Sequence, residues 1–206
     1  MVEILYDWRE LGLKDLDIIL CKGESKMSKI IRKTQEYTGS PKEEASITHV
    51  ATVNIVGGNH YVQESTTNNK WANKRGVQRN PMEEWLRNYD GEVFVRKLDF
   101  TRGPIFEHND ILFWEENKDK PYESGIPGKL ELLLCALRLH RFIPGYSPRP
   151  TPELHCGELG ANRIDWHKLW EITISSNRMP PHIWVNQIDD YLRCDISEPI
   201  KIKELV

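Results

Sequence analysis

A cysteine late in the chain has the setting of a nucleophile. Cys156 lies in the stretch TPELHCGELGANRI. Thr151 followed by Pro152 predicts a helix N-cap with proline at the first helical position, and the helix dipole there favours an anion and lowers a thiol pKa from its usual ~8.5. Gly157 leaves the approach to the sulfur open, and a backbone N–H there could hold a substrate oxyanion. A buried core cysteine at the start of a helix is the alternative interpretation.

The base for such a thiol must come from elsewhere in the chain. His155 is adjacent in sequence, but neighbours on a helix point about 100° apart and do not face each other. His49 is a better candidate, because it stands among apolar residues on the face of a strand that should be buried. A histidine in that place needs a partner for its ring nitrogens. A core histidine with a satisfied hydrogen bond is the plainer alternative.

Glu64 is the candidate that would orient the imidazole of His49. It lies on the strand that returns from His49, and any hairpin loop of even length puts the two on the same face. Nucleophile, base and orienting carboxylate together could support covalent catalysis. A tight turn at Gly58-Asn59 would set Glu64 opposite Val53, four residues or roughly 13 Å from His49. A wider loop, a register shift or a bulge is then required.

The pattern of apolar residues predicts the elements that position these side chains. Alternation of apolar residues from residue 46 to residue 66 predicts a hairpin. Trp166 and Trp170 are four residues apart, and we expect both to pack in the core. Strands are also predicted over 17–21 and 92–98, and helices after Ser25 or Ser28 up to Gly39, over 105–117 and over 129–142.

Composition limits the classes of function. The chain has 206 residues, a formal net charge of -3 and a pI near 6.2, with charges of both signs interleaved, so nucleic acid is not an expected partner. No linker divides the chain, which predicts one domain over 1–206. The first residues do not resemble a secretory signal, and LLLCAL is too short to span a bilayer. No membrane-surface helix or polybasic segment is evident. We therefore expect a soluble protein of the cytoplasm, or of the host cytoplasm if the protein is viral, without integral membrane association.

The cysteines argue against a metal site or a disulfide framework. They are widely scattered, with neither a CxxC pair nor the spacing of zinc ligands. Cys21, Cys135 and Cys194 lie in apolar surroundings and are predicted to be core residues. We expect no cofactor and no metal.

Together these segments resemble the permuted papain-like cysteine hydrolases of the NlpC-type superfamily, in the YiiX-like branch. Five pieces carry the resemblance in order: residues 17–20; SKIIRKT before Thr48-His49-Val50; Glu64 with Gly76-Val77 and PMEEW at 81–85; Lys120-Pro121-Tyr122; and Cys156-Gly157-Glu158-Leu159. The chain departs from the family at Leu16, where glycine is usual before the aspartate, and at Gly157, where serine is usual.

The resemblance implies a fold, an activity and a set of catalytic residues. The fold is α+β and papain-like, circularly permuted, with a cysteine-bearing helix packed on an antiparallel sheet. Cys156 is implied as nucleophile, His49 as general base and acid, and Glu64 as the orienting residue. The implied activity is cleavage of an amide or ester bond in a peptide, N-acyl or acyl-lipid substrate through an acyl-enzyme. An acyltransferase and a non-catalytic peptide- or lipid-binding module are the alternatives.

Overall fold

The computed structural model describes residues 2–3, 7–37, 39–69, 74–121, 156–170 and 181–205. Its strands, in chain order, are β1 (Val2–Glu3), β2 (Ile18–Gly23), β3 (His49–Val56), β4 (Asn59–Asn69), β5 (Lys74–Pro81), β6 (Gly91–Arg96), β7 (Leu98–Asp99), β8 (Asp195–Ile196) and β9 (Ile200–Leu205). Its helices are α1 (Lys26–Tyr37), α2 (Lys42–Ala45), α3 (Met82–Asn88), α4 (Pro104–Asn117) and α5 (Cys156–Trp166), with 3₁₀ turns at Pro181–Trp184 and Gln187–Tyr191.

The architecture is α+β, built on an antiparallel sheet. Seven strands form the sheet in the order β1-β9-β6-β2-β3-β4-β5, and every neighbouring pair is antiparallel. β7 and β8 form a separate two-stranded sheet. The predicted strands near 17–21 and 92–98, the hairpin, and the helices before Gly39 and over 105–117 are all present. The predicted helix over 129–142 and the predicted cap at Thr151 lie outside the described residues, as does Cys135.

Apolar side chains cover both faces of the sheet, as the alternation along its central strands requires. On one face, Ile18, Leu20 and Val50 pack with Ala161 and Ile164 of α5. On the other face, the odd-numbered neighbours in β2 and β3 pack with α3. The members of this second cluster include Ile19, Cys21, Ala51, Val53, Met82, Trp85 and Leu86. The helices α5 and α3 therefore lie on opposite sides of β3.

Leu16 adopts a backbone conformation that is unusual for a residue with a side chain. Its φ is 71°, in the left-handed region, and its side chain is fully buried. The backbone N–H of Leu16 donates to the carbonyl of Val53, which fixes the entry into β2. A non-glycine residue in this region costs about 1–2 kcal/mol, which the burial of the leucine offsets. The departure from glycine noted in the sequence thus falls at a position whose backbone geometry favours glycine.

The prediction for the two tryptophans is half wrong. Trp170 is buried, but the side chain of Trp166 is 37% exposed and meets Phe113 edge-on, with the ring centroids 5.7 Å apart. The reason is that α5 ends at Trp166 and Lys168 takes a φ of 56°, so the spacing of four residues is no longer helical.

Candidate active site

His49 is the first residue of β3 and lies at one end of the sheet. It is paired with Cys21 of β2. The backbone N–H of Thr48, the preceding residue, donates to the carbonyl of Cys21. The hydroxyl of Thr48 accepts a hydrogen bond from the N–H of Gly23 at 3.1 Å. These contacts fix the backbone on which the imidazole is mounted. Its side chain is only 16% exposed.

The hairpin turn brings Glu64 closer to His49 than the sequence suggested. The turn residues are Gly57 and Gly58, both with positive φ (57° and 79°), and Val56 pairs with Asn59. The expected turn at Gly58-Asn59 is therefore wrong. Two consecutive residues with positive φ suit the right-handed twist of a hairpin, and glycine adopts that conformation without strain.

The corrected register makes His49 and Glu64 diagonal neighbours. Thr52 pairs with Gln63, so the next step along the strands sets Glu64 beside Ala51, two residues from His49. Diagonal neighbours on one face are within reach of long side chains. His49 Nε2 lies 2.8 Å from Glu64 Oε2, within hydrogen-bond distance. No bulge or longer loop is needed.

The second oxygen of Glu64 accepts three further hydrogen bonds. Gln78 Nε2, Asn80 Nδ2 and Trp85 Nε1 donate to Oε1 at 3.3, 3.1 and 3.0 Å, and the carboxylate is 3% exposed. Gln78 pairs with Glu64 across β5, and Asn80 lies two residues further along the same face. None of these three residues was assigned a role from the sequence. The available signal was a polar pair, Gln78 and Asn80, at alternate positions of one strand.

Cys156 is the first residue of α5 and meets the same imidazole. It is 8% exposed. Burial by itself would lower the pKa of His49, but the charge and the hydrogen bond of Cys156, together with those of Glu64, outweigh it and raise the pKa to about 10. Because Nε2 faces Glu64, the ring nitrogen left for the thiol is Nδ1. The structure thus brings Cys156, His49 and Glu64 together.

A buried arginine docks α5 onto the strand that carries His49. Arg163 Nη1 donates to Thr52 Oγ1 at 2.7 Å and to the carbonyl of Val53 at 2.8 Å. Arg163 lies seven residues after Cys156, about 10 Å along a helix, and Thr52 lies three residues after His49, about 10 Å along a strand. These equal distances keep the thiol level with the imidazole.

Two further contacts complete this docking. Asp110 of α4 accepts hydrogen bonds from Arg163 Nε at 2.7 Å and from Asn54 Nδ2 at 2.6 Å. Although burial opposes it, the charge of Arg163 holds the pKa of Asp110 below its usual range, so the carboxylate stays ionised. Gly160 allows α5 to approach Trp184, since a Cβ there would lie 3.0 Å from the indole ring. Neither Arg163 nor Gly160 was identified from the sequence.

The other described cysteines lack this environment. Burial raises the pKa of both Cys21 and Cys194, and Cys21 is fully buried as predicted. Cys194 is partly buried and packs against the core. Within the described ranges, no group of three metal-ligating side chains is arranged to hold a metal ion. In the same ranges, no helix combines the length and apolar content that crossing a membrane requires.

Comparison with known proteins gives a structural neighbour but no family. The crystal structure of the metalloprotein yiiX from Escherichia coli O157:H7, DUF1105, is similar to this chain with a TM-score of 0.49 and 14% sequence identity. The match covers 94% of this chain and 88% of that chain. No family of known sequences and no curated protein matches. A likeness of this degree carries no functional argument, which rests instead on the contacts described above.

Proposed function

We propose that the chain is a cysteine hydrolase, a single permuted papain-like domain that cleaves an amide or ester bond through an acyl-enzyme. One observation carries the proposal: the imidazole of His49 contacts the thiol of Cys156 and the carboxylate of Glu64 at the same time. Nucleophile, base and orienting group in hydrogen-bond contact are what covalent acyl transfer needs. The sequence resemblance to the NlpC-type superfamily supports the same three residues.

In the acylation step, the imidazole of His49 holds the proton of Cys156, and the thiolate attacks the substrate carbonyl carbon. A C–S bond forms and the carbonyl electrons move to oxygen, where backbone N–H groups at the start of α5 are the available donors. The oxyanion then collapses. His49 gives its proton to the leaving nitrogen or oxygen, whose bond to the carbonyl carbon breaks.

In the deacylation step, neutral His49 takes a proton from water, and the resulting hydroxide attacks the thioester carbonyl. The C–S bond breaks, the acid is released and the thiolate returns beside the imidazolium. Throughout, Glu64 accepts the hydrogen bond from Nε2, which fixes the ring direction and stabilises its positive charge. The three donors on its other oxygen keep the carboxylate from rotating.

A thiol-reactive probe tests the proposal without a known substrate. After brief treatment with iodoacetamide at neutral pH, peptide mapping should find Cys156 labelled faster than Cys21, Cys135 and Cys194. The control is Cys156→Ala, which should lose the fast-labelled peptide and gain no other. Faster labelling of any of the other three cysteines would remove the nucleophile from the proposal.

A further inference from the structure

The outer surface of α1 combines exposed apolar side chains with lysines. Met27, Ile30 and Tyr37 are 48%, 57% and 85% exposed. Lys26, Lys29 and Lys33 are exposed on the same helix. Residues 26, 30, 33 and 37 follow the i, i+4, i+7, i+11 spacing of a single helical stripe, with Met27 and Lys29 flanking it. We call these six residues the outer face of α1.

Among the residues that the structure describes, the fold uses this outer face only for a largely exposed ion pair, in which Lys29 Nζ lies 3.8 Å from Glu24 Oε2. Gln35 is the buried residue of α1, and its amide donates to the carbonyls of Ala45 and Ile47 at 2.8 and 2.9 Å. Arg32 donates to the carbonyl of Gly23 at the other end of the helix. These polar contacts hold the inner side of α1 in place. The apolar side chains on the outer face therefore remain in contact with water.

The helix also lies next to the candidate active site. Ile47, whose carbonyl binds Gln35, is two residues before His49. The strand that leads into α1 is β2, whose Cys21 pairs with His49. Gln35 lies opposite the outer face on the helix, so a surface bound to that face would be separated from this end of the sheet by the width of α1.

We propose that the outer face of α1 binds the surface of an anionic lipid bilayer. Lysine is depleted from the cores of protein–protein interfaces, whereas a helix that presents lysines together with apolar side chains is typical of binding in the headgroup region. The lysines complement anionic headgroups and the apolar side chains enter the acyl boundary. Such a helix was not expected from the sequence, and the apolar spacing of α1 fits a core stripe equally well.

The binding does not require catalysis, so it can be tested on an inactive chain. The full chain carrying Cys156→Ala should sediment with phosphatidylcholine vesicles that contain phosphatidylserine and remain in solution with vesicles of phosphatidylcholine alone. Added salt should weaken the binding, because it screens the lysines. Binding of the inactive chain would hold even if the hydrolase proposal failed.

Substitutions on the outer face should reduce the binding without unfolding the protein. Each lysine near an anionic surface contributes about five-fold, so the triple change Lys26→Gln, Lys29→Gln, Lys33→Gln should weaken partitioning about a hundredfold. Ile30→Glu should weaken it at least about tenfold. Ile111→Glu is the matched control, since Ile111 is similarly exposed (61%) but lies on α4, and this variant should bind like the parent.

Three outcomes would overturn the proposal. The first is failure of the parent to bind phosphatidylserine vesicles at low salt. The second is equal loss in Ile30→Glu and Ile111→Glu. The third is binding that the triple lysine variant retains. Circular dichroism and a thermal melt of each variant establish that the fold is kept before the binding is compared.

Discussion

Different kinds of contact position the two parts of the candidate site, the hairpin with His49 and Glu64 and the helix with Cys156. His49 and Glu64 are set by the register of β3 and β4, a ladder of backbone hydrogen bonds closed by a two-residue turn. Cys156 is set by the docking of α5 through the side chain of Arg163. The difference implies that the base is positioned locally, whereas the nucleophile depends on contacts two helical turns away.

Replacing His49 should have the largest effect, because both regions meet at its ring. His49→Ala should lower turnover by about 10⁴- to 10⁶-fold, as removal of the base does in other triads. The measurable quantity is the pH dependence of Cys156 alkylation. The parent should react well below the free-thiol pKa of ~8.5, and the variant should have its midpoint raised towards that value.

The pH dependence of turnover, at its upper end, tests the paired imidazolium. The pKa of His49 is raised to about 10, so the ring stays protonated beside the thiolate as pH rises through neutrality and loses its proton only near pH 10. General-acid function should therefore be lost above about pH 10 and retained below it. His60→Ala is the control, since His60 contacts the carbonyl of Leu13 and should leave the profile unchanged. An unchanged midpoint in His49→Ala would make His49 a core histidine.

Replacing Glu64 by glutamine should have a smaller effect that isolates charge from position. The three donors on Oε1 require the amide oxygen at that place, so the amide NH₂ faces His49 Nε2. An amide NH₂ can donate a hydrogen bond to Nε2 of His49 only when that nitrogen carries no proton, so the glutamine disfavours the imidazolium form of His49. We expect turnover to fall about 10²- to 10⁴-fold and the alkylation midpoint to lie between those of the parent and His49→Ala. A midpoint equal to that of the parent would show that the carboxylate charge is not used.

Replacing Arg163 should affect stability first and the thiol second. Arg163→Met removes the closer ion-pair partner of the buried Asp110 carboxylate and leaves only His167 Nε2, at 3.4 Å, which costs up to about 3–5 kcal/mol of unfolding free energy. Cys156 alkylation should also slow, because α5 loses its anchor on β3. Urea denaturation measures the first effect, and adding Asp110→Asn should restore part of it. Arg9→Met, at an exposed ion pair, should cost less than about 1 kcal/mol. Equal costs at the two arginines would contradict the docking role.

The sequence predicts the hairpin side of this comparison better than the helix side. Alternation from residue 46 onwards places His49 and Glu64 on one face whatever the even loop length, so the pair was identifiable. The distance between His49 and Glu64 could not be predicted, because Gly57-Gly58 and Gly58-Asn59 are both acceptable turn pairs. Each shift of the turn by one residue changes the register of the strands by two. Ladder geometry in the folded sheet selects the first.

No local sequence pattern predicts how α5 docks onto β3. Arg163 is seven residues from Cys156 and therefore on the same helix face, but its partners Thr52 and Asp110 are 111 and 53 residues away in sequence. The outward direction of α1 is non-local too, since its spacing of apolar residues fits either a core stripe or an exposed one. Side chains whose role depends on a distant partner thus require the fold to be known.

The smallest predicted effect comes from one hydrogen bond to Glu64, and it compares two tryptophans. Trp85 and Trp184 are both fully buried, 1% and 0% exposed. Trp85 Nε1 donates to Glu64 Oε1 at 3.0 Å, whereas Trp184 Nε1 has no partner among the residues that the structure describes. Replacing either by phenylalanine removes an N–H and similar volume, so the difference between the variants reports the hydrogen bond.

Trp85→Phe should slow the alkylation of Cys156 by up to about tenfold and shift its midpoint slightly upward. The hydrogen bond from a neutral donor to a charged acceptor is worth about 1.5–3 kcal/mol, but Gln78 and Asn80 still bind the same oxygen and limit the loss. Phenylalanine at 85 can keep the ring stacking against Tyr89, now 4.8 Å between centroids. Trp184→Phe shrinks the ring that packs beside Gly160 and should leave the midpoint in place, even where urea denaturation shows a comparable loss of stability. If the two variants shift the midpoint equally, the side chain of Trp85 contributes only packing. The carboxylate of Glu64 is then held by Gln78 and Asn80 of the sheet rather than by α3.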